Sequence, residues 1–69
     1  MDTEFQTIIE EVIASIAASG FDPYDQLYGY VTTGRDEYIT RRDNTREKIK
    51  NIDPVQLREF VKHMTPSHL

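Results

Sequence analysis

The sequence predicts an all-α protein, a small compact bundle of about four short helices. Two Asp-Pro pairs, Asp22-Pro23 and Asp53-Pro54, are typical helix starts, because aspartate caps and proline fits the first turn. Apolar residues recur at i, i+3, i+4 and i+7 spacing in separate stretches. All three glycines lie between positions 20 and 34. The first and the last of them are placed to end two successive helices in the first half of the chain.

The first helix is predicted over 4–19 from its continuous apolar face. Thr3 and Gln6 have the spacing of a capping box, and Gly20 is placed to end the helix in a left-handed conformation. The second helix is predicted over 23–32, with Gly34 as its stop. Gly29 within it costs ~1 kcal/mol relative to alanine, so we expect close approach of another backbone there, that of helix 1.

Residues 35–43 contain one short apolar anchor, Tyr38-Ile39, and predict an ordered connection or a single helical turn. A third helix is predicted over 44–51, capped by Asn44 with Glu47 in a second capping box, and with Ile49 and Ile52 on its buried side.

The fourth helix is predicted over 54–64, with Leu57, Phe60, Val61 and Met64 on its apolar face. Pro66 opposes further helix. We therefore expect a single helical domain over 1–64 and a frayed C-terminal tail over 65–69.

Composition restricts the class of protein. The 69 residues include no cysteine, which excludes disulfides and thiolate metal sites. No apolar run approaches the ~20 residues that a membrane span needs, and acids rather than basic residues precede the first apolar residues. We expect a cytoplasmic protein without membrane insertion.

The net charge of −4 is unevenly distributed. Residues 1–34 carry six acids and no lysine or arginine, whereas residues 35–50 carry six bases and four acids. Such asymmetry is found in nucleic-acid-binding proteins, but an acidic chain repels phosphate backbones. We favour the alternative, in which the two regions attract each other within a subunit or across a dimer.

No catalytic or cofactor-binding motif occurs in the sequence. His63 and His68 lie five apart, which does not suit a helical metal site, and we expect both to be solvated. Glu10 and Glu11 are adjacent on one helix and do not converge as a carboxylate pair must. We expect neither an enzyme nor a cofactor.

A chain this short covers little apolar surface, so the helical stripes predict a homodimer. The candidate interface residues are Leu27, Tyr28, Val31, Phe60 and Met64.

The run GFDPYDQLYGYVTTGRDEYITRRDNTREKI resembles the IreB (UPF0297) family of small regulatory phosphoproteins of Gram-positive bacteria. That family's pattern runs GYNPINQIVGY, then SGDPAYI, then an arginine and a later Ala-Arg. Eleven residues match it in register: Gly20, Pro23, Gln26, Gly29, Tyr30, Gly34, Tyr38, Ile39, Arg41, Arg46 and Ile49.

The resemblance implies a non-catalytic helical homodimer. It also implies a substrate of a membrane Ser/Thr kinase and its partner phosphatase in the response to cell-envelope stress. The family's phosphorylated threonines lie in an N-terminal tail, which Thr3 and Thr7 do not match. The resemblance leaves open whether this is a relative without the tail or a shortened form.

Two questions stay open from the sequence. Tyr38, Arg41 and Arg46 form either a structural network with the acids of helices 1 and 2, which we favour, or a partner surface. The alternative function is DNA binding, with helices 2 and 3 as a degenerate helix-turn-helix and Arg41, Arg42 and Arg46 on the phosphate backbone.

Overall fold

A computed structural model describes residues 3–64 and contains four α-helices. They are α1 Thr3–Ala18, α2 Pro23–Thr33, α3 Thr45–Lys50 and α4 Pro54–Lys62. Helical turns at Asp36–Tyr38 and Arg42–Asn44 lie between α2 and α3, and no strand occurs in residues 3–64. The all-α prediction is confirmed, and the predicted helix bounds agree within two residues. The predicted tail lies outside the described residues.

Two of the helix starts follow the predicted chemistry. Asp22 Oδ1 accepts from the Tyr24 N–H at 3.0 Å, and Asp53 Oδ1 accepts from the Val55 N–H at 2.8 Å. Pro23 and Pro54 are the first residues of α2 and α4, where proline forfeits no helical hydrogen bond.

The predicted stop at Gly20 is confirmed as a Schellman motif. Gly20 has φ +88°, its N–H donates to Ala17 O, and the Phe21 N–H donates to Ile16 O at 3.3 Å. The Phe21 ring stays 55% exposed. Gly34 ends α2 with φ +74° and donates to Tyr30 O.

Both predicted capping boxes need correction. Thr3 lies within α1 rather than at its N-cap, and the Gln6 amide donates to Glu10 Oε1 along α1. Asn44 makes no side-chain cap and is itself left-handed, with φ 60°, as is Asp43 before it, with φ 54°. Asparagine and aspartate tolerate this conformation better than other side chains, so the chain uses Asn44 for its backbone rather than for its amide.

The core lies where α1 packs on α3 and α2 packs on α4, and α1 also contacts α2. Its members are fully or almost fully buried: Ile9, Val12, Ile16, Leu27, Ile39, Ile49, Ile52, Leu57 and Val61. The predicted burial of Ile49 and Ile52 is confirmed. Thr45, which the sequence did not single out, is also fully buried and donates to Arg42 O.

Candidate functional site

The segment between α2 and α3, residues 35–44, contacts α1, α2 and α3 and is named here the strap. Its apolar anchor is Ile39, which is 1% exposed and belongs to the core. Most residues of the family-like pattern lie on the strap or contact it, so the strap is where the structure brings them together.

Gly29 and Tyr38 meet at the start of the strap. A Cβ built on Gly29 would lie 2.7 Å from Cδ1 and 2.9 Å from Cγ of Tyr38. The predicted close approach at Gly29 therefore exists, but its partner is a tyrosine ring and not the backbone of helix 1. The ring covers the glycine and remains 45% exposed.

Two side chains bind one peptide group of the strap, the one that joins Ile39 to Thr40. Gln26 Oε1 accepts from the Thr40 N–H at 2.8 Å, and Arg46 Nε donates to Ile39 O at 2.8 Å. Both bonds are partly buried, and there an unpaired peptide group is costly. Gln26 and Arg46 thus fix the strap from α2 and from α3.

Hydroxyl groups fasten the strap to α1. The hydroxyls of Ser19 and Thr40 are 3.0 Å apart, and the buried Ser15 donates to Asp43 Oδ2 at 3.2 Å. No buried side-chain nitrogen or oxygen of the described residues lacks a hydrogen-bond partner. This layer joins three helices through one connection.

An ion pair joins the first turn of the strap to α3. Lys50 Nζ lies 3.0 Å from Asp36 Oδ2. The hydrogen bond from Lys50 holds the pKa of Asp36 below its ordinary value, and the same bond raises the pKa of Lys50. Another pair, Lys48–Glu11 at 3.6 Å, links the basic region to the acidic α1.

The expected network of Tyr38, Arg41 and Arg46 with the acids of helix 1 or 2 does not form among residues 3–64. Arg46 binds a backbone carbonyl instead of a carboxylate. The side chain of Arg41 is exposed and makes no hydrogen bond or ion pair with residues 3–64. Arg41 is therefore the residue of the pattern that the fold leaves unexplained.

The five predicted interface residues divide among three places. Leu27 is fully buried within the chain itself, so its assignment to a seam between subunits is wrong. Phe60 and Met64 line a mainly apolar groove of about 710 Å³ between α1 and α4, together with Phe5 and Val55. Tyr28 and Val31 line a separate cleft between α2 and α4.

The geometry does not match a helix-turn-helix. Such motifs join two helices by a turn of about three or four residues. Here the whole strap separates α2 from α3, and α3 has only six residues. Among residues 3–64, no three histidine, aspartate or glutamate side chains converge as a metal site would need.

Comparison with known proteins identifies the family of this chain. The profile of the IreB regulatory phosphoprotein family matches residues 1–64. The chain belongs to the IreB family. A UPF0297 protein of Lachnoclostridium phytofermentans is 29% identical over 56 residues, which is 81% of this chain and 64% of that protein. The chain thus spans somewhat less than two thirds of that relative, and no solved structure matches it.

Membership in the IreB family confirms the resemblance that the sequence pattern indicated. IreB proteins are described as regulatory phosphoproteins, which is a regulatory class and not an enzyme class. No helix in the described part of the chain is long and apolar enough to cross a membrane.

Proposed function

We propose that this IreB-family chain is a non-catalytic regulatory protein of the cytoplasm, a homodimer and a substrate of a membrane Ser/Thr kinase in the cell-envelope stress response. The observation that carries the proposal is the family match over residues 1–64. The roles of Gln26, Gly29, Tyr38 and Arg46 in holding the strap support it, because these residues are used for structure and not for chemistry.

The apolar groove supports the assembly. Val55 is 63% exposed at its edge, and the rings of Phe5 and Phe60 meet edge to face at 5.9 Å across it. Exposed apolar surface of this kind usually marks an interface. A second copy, bringing the same groove, would cover it by the symmetric contact that dimers use.

Threonines of α1 are poor phosphorylation candidates. The Thr7 hydroxyl donates to Thr3 O within the helix, so it is already engaged. We therefore place modification outside α1 and assign no threonine.

The test is intact-mass spectrometry of the protein purified from its native host, with and without the membrane Ser/Thr kinase. We expect a species heavier by one or more phosphate groups that disappears when the kinase is absent or after phosphatase treatment. The same mass in both strains would overturn the kinase-substrate role. A salt-dependent gel shift with duplex DNA would instead favour the alternative of DNA binding.

A further inference from the structure

The cleft between α2 and α4 combines an aromatic wall with a cationic wall. Tyr24 and Tyr28 form the α2 wall, and their rings stack with centroids 5.6 Å apart and planes inclined by 21°. Tyr28 is 51% exposed. Arg58 and Lys62 lie four residues apart on α4 and form the opposite wall.

The cations of this cleft are poorly neutralised. The side chain of Arg58 is exposed and makes no hydrogen bond or ion pair with residues 3–64. Lys62 has one partner, Glu59, at 3.3 Å on its own helix. Arginine and tyrosine are among the side chains that are enriched at interface centres.

The volume of the cleft limits what it can hold. It measures about 190 Å³, below the roughly 300 Å³ at which small-molecule pockets begin. A cavity of about 150 Å³ accommodates benzene, so this cleft can accept one aromatic or branched aliphatic side chain. Val31 and Val61 supply apolar surface for that side chain.

We propose that the α2–α4 cleft binds an acidic peptide segment of a partner protein, with one apolar side chain in the cleft and flanking carboxylates on Arg58 and Lys62. This inference rests on the proposed role as an interaction protein and names the chemistry of the partner. Arginine pairs with carboxylate through two parallel hydrogen bonds, which gives the contact direction as well as strength.

Two other occupants fit less well. A nucleic acid would need a basic groove that follows several phosphates, whereas this cleft offers two cations, Arg58 and Lys62, and the exposed Asp25 lies one turn from Tyr28 on α2. A second copy of the chain is better matched to the larger apolar groove, which lies on the other flank of α4. Because the two surfaces use different flanks, a dimer formed through the groove leaves the cleft accessible.

The probe is a fluorescein-labelled synthetic peptide, Gly-Asp-Glu-Trp-Glu-Asp-Gly, followed by fluorescence anisotropy and by ¹⁵N–¹H chemical-shift mapping. We expect saturable binding, with the largest shifts at the amides around Tyr28 and Arg58. Replacing the peptide's tryptophan by glycine, or its acids by lysines, should abolish binding.

Variants separate the cleft from general charge attraction. Arg58→Glu and Arg58→Gln should weaken binding about tenfold or more, as loss of a central contact does. Arg41→Glu is the matched control, since Arg41 is also exposed and has no partner within the described part of the chain. It should leave the affinity within about twofold, as expected for a charge outside the contact.

Three results would overturn the proposal. They are shifts centred elsewhere, equal effects of Arg58→Glu and Arg41→Glu, and tighter binding of a single-stranded oligonucleotide with the same dependence on Arg58. Peptide binding to the cleft, together with the same intact mass in strains with and without the kinase, would overturn the kinase-substrate role while supporting this inference.

Discussion

Gly29 lies beneath the ring of Tyr38, and this contact explains why an amphipathic helix keeps a glycine near its middle. The sequence indicated that something must approach closely, because glycine in a helix is unfavourable by ~1 kcal/mol. It could not indicate what approaches, because Tyr38 arrives by a reversal of the chain after Gly34. The unfavourable helix propensity of a glycine can be read from the sequence, whereas the tertiary contact that offsets it cannot.

Gly29→Ala should destabilise the protein by about 1–3 kcal/mol despite the better helix propensity of alanine, since the new methyl displaces a ring near its Cβ. Gly29→Leu should cost more than loss of a surface contact. In a Tyr38→Ala background, Gly29→Ala should instead stabilise by up to ~1 kcal/mol. Urea unfolding of the four proteins of this double-mutant cycle measures the difference. Additive effects would show that Tyr38 is not the obstacle.

Gln26→Ala and Arg46→Ala should each cost about 1–3 kcal/mol, because each leaves a partly buried peptide group of the strap unpaired. Gln26→Glu keeps an acceptor oxygen for the Thr40 N–H and should cost less than Gln26→Ala. The control is Arg41→Ala at an exposed position, expected within about 0.5 kcal/mol of the parent. Equal unfolding free energies for Gln26→Ala and Arg41→Ala would contradict this assignment.

Among the elements, the helices were predictable and the strap was not. Helix bounds follow from periodicity and from caps such as Asp22 and Asp53, all of which are local in sequence. The strap is fixed by side chain to backbone bonds across fourteen residues at Gln26 and seven at Arg46, which leave no periodic signal. Asn44 is a different case, because it has capping-box spacing with Glu47 but its backbone is left-handed and its side chain makes no cap.

The ion pair between the strap and α3 should make stability depend on pH at both extremes. The pKa of Asp36 is lowered in the folded state by the hydrogen bond from Lys50, so its contribution is present above the ordinary aspartate pKa and is lost as pH falls through the folded value. The pKa of Lys50 is raised, so its contribution is present below the ordinary lysine pKa and is lost as pH rises through the folded value.

An NMR titration of the Asp36 carboxyl should give a midpoint below the ordinary range of about 3.9. Lys50→Met should move that midpoint upward, and the stability difference between parent and variant should shrink as pH falls through it. Lys62→Met serves as the control, because Lys62 pairs with Glu59 and not with Asp36. If Lys50→Met left the midpoint unchanged, the ion pair between Asp36 and Lys50 would not form in solution.

At the scale of the whole molecule, α4 packs on the core with one face and lines a different surface depression on each side of that face. One flank lines the apolar groove with Phe60 and Met64, and the other lines the cleft with Arg58 and Lys62. The sequence identified Phe60 and Met64 as apolar but merged them with Tyr28 and Leu27 into one seam. Periodicity gives the angle of a residue on its own helix, and the neighbours that cover it come from the fold.

We expect a homodimer through the groove, and sedimentation equilibrium should give a mass near twice 8.1 kDa. Moderate salt should change it little, because the contact is apolar. Val55→Glu places a charge at the most exposed edge of the groove and should yield a monomer, whereas Phe21→Glu, at another exposed ring, should remain dimeric. A monomeric parent at high micromolar concentration, or a dimeric Val55→Glu, would defeat this prediction.

Gln26 and Arg46 bind a peptide group of the strap rather than its side chains. This also determines which positions of the family can change in sequence. A backbone N–H and a backbone carbonyl survive almost any substitution at the positions that carry them. The strap can therefore change its exposed residues while its course is inherited through two distant side chains. Among relatives, positions 26 and 46 should vary least, and the exposed strap positions 35 and 37 should differ freely from lineage to lineage.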